Sequence, residues 1–333
     1  MRIVLCYPVA PVHCQQIAAC APGAEIVDAG QERIAQALFH ADIFCGHAKV
    51  PVDWDGVIRQ GRLQWIQSSA AGMDHCLVPS VIESDVVVTS ASGVLAEQVA
   101  EHTIALVTAW CRSLPVFLRA QERREFIRRP TRDLTRSTVG IVGFGGNGRR
   151  LARLLRVFKT RILATDVFPV DKPGYVEALW PADRLDDLLA QSDTVVLALP
   201  LNESTHGLLN SARLAKMKRG SLLCNMARGP IVVTSDLIDA LDSGHLAGAV
   251  MDVTDPEPLP PEHRLWEFPN VIITPHVGGQ GATRIDDMTR LFCENLRRWL
   301  AKEPLVNCLA DKRLGFPIRV AGTPGWGEED DLA

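Results

Sequence analysis

Arg228, Glu257 and His276 lie far apart in the chain, yet their side chains have the chemistry to work together. An imidazole titrates near working pH and can give or take a proton. A carboxylate beside it would favour the protonated ring and fix its orientation. A guanidinium holds a carboxylate by paired hydrogen bonds and polarises a carbonyl. Together the three suit interconversion of a hydroxy acid and an oxo acid, in which a hydride moves at carbon and a proton at oxygen. Taken singly, each has a plainer reading. His276 could be a polar loop group, Arg228 a helix-end arginine and Glu257 a solvated acid in Asp-Pro-Glu-Pro-Leu-Pro-Pro. Asp252 could be a turn residue at a strand end.

A hydride carrier is suggested by Val139-Gly-Ile-Val-Gly-Phe-Gly-Gly-Asn-Gly148, a strand running into Gly143-x-Gly145-x-x-Gly148 and then a helical stretch. Gly143 permits the tight turn, Gly145 lets backbone approach a pyrophosphate, and Gly148 lets helix and strand pack closely. The helix start offers free N–H groups and a positive dipole end to phosphates. The next strand ends in Asp166, 18 residues after Gly148. A carboxylate there can bind ribose hydroxyls and repels a 2′-phosphate. NAD is therefore the expected cofactor and NADP is disfavoured, since Val167–Val170 carries no basic residue.

Such groups must be positioned by a sheet. The first ninety residues alternate short apolar runs (Ile3–Tyr7, Glu25–Asp28, Ile43–Cys45, Leu63–Gln67, Val86–Thr89) with helical stretches near Gln15–Ala21 and 31–40. A long helical stretch over 94–114 stops before Pro115. A second series offers six strands: Val139–Gly143, Arg161–Thr165, Thr194–Leu199, Ser221–Asn225, Gly248–Asp252 and Val271–Thr274. The fold class expected is α/β, with two doubly wound parallel-sheet domains of Rossmann or flavodoxin type and a cleft between them. Ligands in such sheets bind beyond the carboxyl ends of the strands. Asp166, Pro200 with Thr205, Arg228, Asp252 and His276 all follow strands. Residues 285–300 read as an amphipathic helix, with Met288, Leu291, Phe292, Leu296 and Trp299 near a 3.6 period. The Gly-, Pro- and acid-rich tail after Asp311 is expected to be extended or mobile.

Composition narrows the class. The chain has 333 residues, 47% hydrophobic and 22% charged, which fits two globular domains. A formal charge of −4 argues against nucleic acid as the main partner. Nine singly scattered cysteines without CxxC spacing argue for reduced thiols in a cytoplasm, with no metal site. The amino terminus breaks at Pro8, too early for a signal-peptide core, and no apolar run reaches membrane-spanning length. The arginine-dense stretch 119–136 reads as a solvated helix and loop, or as an anion-attracting rim.

At these motifs the chain resembles the NAD-dependent D-isomer-specific 2-hydroxyacid dehydrogenases, the family of glycerate/hydroxypyruvate, phosphoglycerate, D-lactate and formate dehydrogenases. The likeness covers roughly residues 40–308. It is carried by Gly143-Phe-Gly-Gly-Asn-Gly148, Asn225-Met-Ala-Arg-Gly229, Asp252-Val-Thr-Asp-Pro-Glu-Pro-Leu259 and Thr274-Pro-His-Val-Gly-Gly279. The resemblance implies Arg228 as substrate-binding arginine, His276 as acid/base and Glu257 as its carboxylate partner. It implies that Asp252 binds the nicotinamide carboxamide and that Pro200 and Thr205 wall the cofactor. Thr103 would reach the pyrophosphate. Gly146, Asn147, Ala227, Gly278 and Gly279 complete the implied cofactor contacts. Ser68-Ser-Ala-Ala-Gly-Met-Asp74 matches the loop whose amides around Ala71, Gly72 and Met73 hold the substrate carboxylate. A split arrangement also follows: residues 1–100 and 286–333 as substrate domain, 101–285 as NAD-binding domain, with homodimers through the latter.

Two departures stand out. Asn147 occupies a position usually apolar, which would alter packing under the pyrophosphate. His47 lies near where several phosphate- or carboxylate-handling relatives carry an arginine, which weakens the case for a phosphorylated substrate. Two other classes compete with the dehydrogenase reading. One is an NAD-sensing, corepressor-like binding protein on the same scaffold. The other is a methyltransferase, disfavoured by the six-strand series and the His276 motif.

Overall fold

A computed structural model of the chain describes residues 1–319; the part of the expected tail beyond them lies outside the described residues. The described chain divides into two units, residues 1–95 with 281–319, and residues 96–280.

In the first unit, β1 (Arg2–Cys6), β2 (Glu25–Asp28), β3 (Ile43–Gly46), β4 (Trp65–Ser68) and β5 (Val87–Thr89) form one parallel sheet. The order is β2-β1-β3-β4-β5, so β3 is central with β1 and β4 beside it, and all three are almost wholly buried. The continuous apolar runs of β1 and β3 follow from coverage on both faces. Helices α1 (Pro11–Cys20), α2 (Gly30–Ala37), α3 (Trp54–Gln60) and α4 (Pro79–Glu83) connect the strands. Asp53 caps α3 through the Gly56 amide at 2.9 Å, and Gly61 ends it in the left-handed region.

The second unit opens with α5 (Ala96–Cys111) and α6 (Leu114–Glu122). Its sheet comprises β6 (Thr138–Val142), β7 (Arg161–Asp166), β8 (Ala178–Pro181), β9 (Thr194–Leu197), β10 (Ser221–Asn225), β11 (Leu246–Met251) and β12 (Val271–Ile273). All pairings are parallel, in the order β12-β11-β10-β9-β6-β7-β8. Helices α7 (Gly146–Leu155), α8 (Leu185–Gln191), α9 (Ser211–Leu214) and α10 (Thr234–Asp242) complete the winding. Seven strands replace the six expected. The extra one, β8, is four residues long, ends in a proline and pairs only with β7. Proline is tolerated on such an edge, so the segment carries no buried-strand pattern. Pro115 does not simply end a helix. It stands in the first turn of α6, where a missing N–H costs nothing.

The chain then returns to the first unit through α11 (Arg284–Ala301). Met288, Leu291, Phe292 and Leu296 are buried, each contributing roughly 2 kcal/mol of apolar burial. Trp65 packs its ring 5.4 Å from Phe292 and 5.5 Å from Trp299. The helix also carries a polar anchor. Buried Asn295 donates to the Gln67 side chain at 2.9 Å and to the Val306 carbonyl at 3.0 Å, and accepts from the Val306 amide at 2.7 Å. Gln67 accepts from Thr89, which accepts from the Trp65 indole, each at 2.8 Å. A satisfied buried network of this kind fixes one register for α11 on the sheet.

Candidate active site

In the second sheet the winding reverses between β6 and β9, and ligands bind at the carboxyl ends beside such a reversal. The glycine turn leaves β6 there. Gly143 has φ +92°, and a Cβ on it would stand 2.6 Å from the Ala198 carbonyl oxygen. A Cβ on Gly148 would run into the Gly143 carbonyl. Above Gly145 nothing lies within 4 Å of a built Cβ, so that face of the turn is open to a ligand. Gly146 and Asn147 begin α7, whose first-turn amides have no partner within the helix. Asp166 ends β7, accepting from the Phe144 amide at 2.6 Å and the Phe168 amide at 2.8 Å. It is thereby fastened to the glycine turn while keeping acceptor capacity for hydroxyls. An open glycine turn, a helix start and an adjoining carboxylate fit a dinucleotide.

Beyond β9, Thr205 donates to the Pro200 carbonyl at 2.7 Å and accepts from the Asn202 amide at 2.8 Å, closing the turn after Pro200. Beyond β10, the fully buried Asn225 side chain braces the next turn. It donates to the Arg228 carbonyl at 2.9 Å and accepts from the Ala227 amide at 3.1 Å. Arg228 Nη1 donates to the Ala227 carbonyl at 2.8 Å. The following Gly229 lies against backbone: a Cβ there would collide with the Thr254 carbonyl and stand 2.7 Å from the Asp255 nitrogen. The arginine turn is thus pressed onto the loop that carries Glu257.

His276 follows β12. Its Nδ1 lies 2.7 Å from Glu257 Oε1, both side chains 43% exposed. With a carboxylate accepting at Nδ1, the proton sits there and Nε2 is left for a substrate. The backbone of His276 is in the left-handed region, φ +54°. A non-glycine residue held so costs on the order of 1 kcal/mol or more, and the surroundings must over-determine it. They do: the His276 amide donates to the Asp252 carbonyl at 2.8 Å and the Thr274 carbonyl at 3.0 Å. The Asp252 carboxylate, 4% exposed, accepts from Thr274 Oγ1 at 2.6 Å, the Val277 amide at 3.0 Å and the Gly278 amide at 2.8 Å.

The expected site residues therefore divide. His276 and Glu257 are in contact, Arg228 stands on a turn packed against the Glu257 loop, and Asp166 adjoins the glycine turn. Asp252 braces the His276 turn with both oxygens. Thr103 does not fit the expected pyrophosphate contact. It is 2% exposed, and its hydroxyl donates to the Val99 carbonyl one turn back at 2.7 Å. Its neighbour His102, which sequence reasoning passed over, reaches the Asp252–Thr274 pair instead. No spacing rule links a helix residue to a loop some 150 positions on, so the sequence held no usable signal.

In the first unit, Ala71, Gly72 and Met73 follow β4. Ser68 Oγ accepts from the Ala70 amide at 3.0 Å, shaping the entry to this turn. The Met73 side chain is buried. The His47 ring stacks on His75 at 4.0 Å, at the same carboxyl edge of the sheet.

The family model of the D-isomer specific 2-hydroxyacid dehydrogenase NAD-binding domain matches residues 104–278. The chain belongs to that family. It is 36% identical to the glyoxylate reductase of Thermofilum pendens over 71% of this chain and 71% of that protein. It is 34% identical to the human glyoxylate reductase/hydroxypyruvate reductase over 73% of this chain and 76% of that protein. Among solved structures, a D-isomer specific 2-hydroxyacid dehydrogenase from Xanthobacter autotrophicus, in complex with NADPH and MES, is similar with a TM-score of 0.79. Identity is 28%, covering 94% of this chain and 98% of that one. An NADPH-dependent glyoxylate/hydroxypyruvate reductase from Sinorhizobium meliloti, in complex with NADP and sulfate, gives a TM-score of 0.80 at 25% identity, covering 95% and 99%. This member of the family is an oxidoreductase with two parallel-sheet α/β units.

Proposed function

We propose that this dehydrogenase interconverts a small 2-oxo acid and its D-2-hydroxy acid with NAD(H), glyoxylate or hydroxypyruvate being the substrates to test first. The observation that carries the reading is the 2.7 Å contact between His276 Nδ1 and Glu257. A bound nicotinamide supplies the hydride for C2 of the substrate, or accepts it in the oxidative direction. His276 Nε2 gives a proton to the developing alkoxide or takes one from the hydroxyl, while Glu257 holds the ring and balances its charge. Arg228 binds the substrate carboxylate and polarises the carbonyl. Gly145, Gly146, Asn147 and Gly148 receive the pyrophosphate, and Asp166 the adenosine ribose. Pro200, Thr205, Ala227, Asp252, Gly278 and Gly279 line the rest of the cofactor's path.

The NAD preference rests on Asp166, whose carboxylate accepts hydroxyls and opposes a 2′-phosphate. Arg149 reaches the adjoining loop. It is buried and donates to the Val170 and Asp171 carbonyls at 2.6 and 2.7 Å, which shapes that loop. Two relatives were crystallised with NADPH or NADP, so the cofactor ratio is the measurement that matters. Turnover of glyoxylate and hydroxypyruvate is expected with NADH and to be weaker with NADPH. Asp166→Ala is expected to move the ratio toward NADPH at least several-fold. Equal or better use of NADPH by the unaltered protein would overturn the NAD assignment. Binding of NADH with no turnover across a panel of 2-oxo acids would favour a sensor instead. The single scatter of the nine cysteines, without CxxC spacing, supports a reducing compartment such as the cytoplasm. Among the described residues, no helix is long and apolar enough to cross a membrane. We also infer a homodimer through the second unit.

A further inference from the structure

The geometry assigns a role to a residue outside the Arg228–Glu257–His276 set. We propose that His102 is a positioning residue for the acid/base histidine, acting through Asp252 and Thr274. It rests on the reading of His276 as proton carrier given above.

His102 lies in the second turn of α5, and its Nε2 is 3.1 Å from Thr274 Oγ1 and 3.4 Å from Asp252 Oδ1. The direction of these contacts follows from donor counting. Thr274 has one hydroxyl proton, and it is directed at the Asp252 carboxylate at 2.6 Å. A carboxylate offers only acceptors, so the remaining capacity of both groups toward His102 is as acceptors. Nε2 of His102 therefore carries a proton and donates into the fork between them. The same carboxylate holds the Val277 and Gly278 amides, and the Asp252 carbonyl holds the His276 amide. His102 thus closes a chain from α5 to the turn that keeps His276 at φ +54°. Space points the same way. A Cβ on Gly278 would stand 2.8 Å from Asp252 Oδ2 and 3.4 Å from His102 Cδ2. The turn is drawn in under the carboxylate and the imidazole together. A left-handed residue in the middle of a turn relaxes readily unless held from more than one side, and α5 supplies the side that the sheet does not.

The test separates the N–H donor from mere bulk. His102→Leu keeps volume and removes the donor; His102→Gln places an amide N–H near the position of Nε2. His102→Asn, whose amide falls short of the fork, serves as the donor-less variant if Leu fails to fold. The donor-less variant is expected to lose roughly tenfold in kcat. Amide hydrogen exchange at residues 276–278 is expected to quicken by a similar factor, and His102→Gln to recover both. Wild-type kcat and exchange in the donor-less variant overturn the proposal. So does a Gln variant that behaves like the donor-less one, since packing alone would then be the cause. His276→Ala, measured alongside, tells the two failures apart. If it still turns over, the proton-carrier reading fails and His102 has nothing to position. If it is inactive while the donor-less variant is unaffected, only the His102 role fails.

Discussion

At the scale of single residues, the proposed chemistry depends on how the His276 ring is held. Glu257 lies 2.7 Å from Nδ1, which in the proposed mechanism leaves Nε2 as the working nitrogen. Replacing it by Gln removes the charge that balances a doubly protonated ring and leaves an amide able to present either end. Glu257→Gln is expected to lower kcat for 2-oxo acid reduction by about 10²-fold, within the usual worth of acid–base catalysis. NADH affinity should change little, since the residue sits on the substrate side of the reading. Steady-state kinetics beside a cofactor titration checks both; an unchanged kcat would remove Glu257 from the mechanism. That His276 and Glu257 meet was legible beforehand because the candidate side chains follow strands, and strand ends in a parallel sheet share one edge. What escaped was burial. Thr103 looked like a hydroxyl available to a phosphate, but helix geometry lets a threonine bond its own backbone one turn back, and Thr103 does so. Asp252 reads from the sequence as a strand-end turn residue or, by the resemblance, a nicotinamide ligand; its carboxylate collects three donors from the His276 turn.

At the scale of elements, the cofactor sheet is closed at its lower edge by Asp193, just before β9. Its carboxylate accepts from the Thr138 amide at the start of β6 at 2.8 Å and pairs with Lys218. Burial pushes this carboxyl up, but the Lys218 ammonium and the Thr138 amide outweigh it and hold it below the usual range. A group lowered in the folded state adds stability above its unfolded pKa, and that contribution disappears as pH falls through the folded value. Asp193→Asn is therefore expected to cost about 1 kcal/mol at neutral pH, the low figure because the side chain is 44% exposed. The difference from wild type should shrink below about pH 4, near the ordinary carboxylate range. Urea titrations at the two pH values measure it; a pH-independent difference would mean the effect is packing. Central elements such as β6 and β10 were readable because double-sided burial demands unbroken apolar runs. The edge strand β8 and the short helix α3 were not. Each is brief and half-solvated, so neither leaves a periodic signature in the sequence.

At the scale of the whole molecule, the unsettled surface is on the second unit, where an arginine-dense stretch could have been a solvated face or an anion rim. The structure shows several of these arginines serving the chain itself. Arg119 donates to the Pro269 carbonyl at 2.7 Å, Arg132 to the Gly220 carbonyl at 2.5 Å, and Arg123 pairs with Glu125 at 2.9 Å. With those contacts made, Leu118 and Phe126 are left facing outward, Phe126 at 94% exposed, with Leu114 and Ile127 partly so. Apolar side chains gathered within so short a stretch are costly to leave in water, at roughly 1.5–3 kcal/mol for each one fully buried. A second copy is the partner that the homodimer inference supplies. Two glutamates here would bring like charges together across a two-fold interface and remove the apolar gain. Leu118→Glu with Phe126→Glu is expected to sediment as a monomer at micromolar concentration where the wild type sediments as a dimer. NADH binding should persist, because neither residue is in the glycine turn or the His276 loop. A wild type that is already monomeric at that concentration would end the homodimer inference. A double variant that remains dimeric would place the contact on another face of the unit.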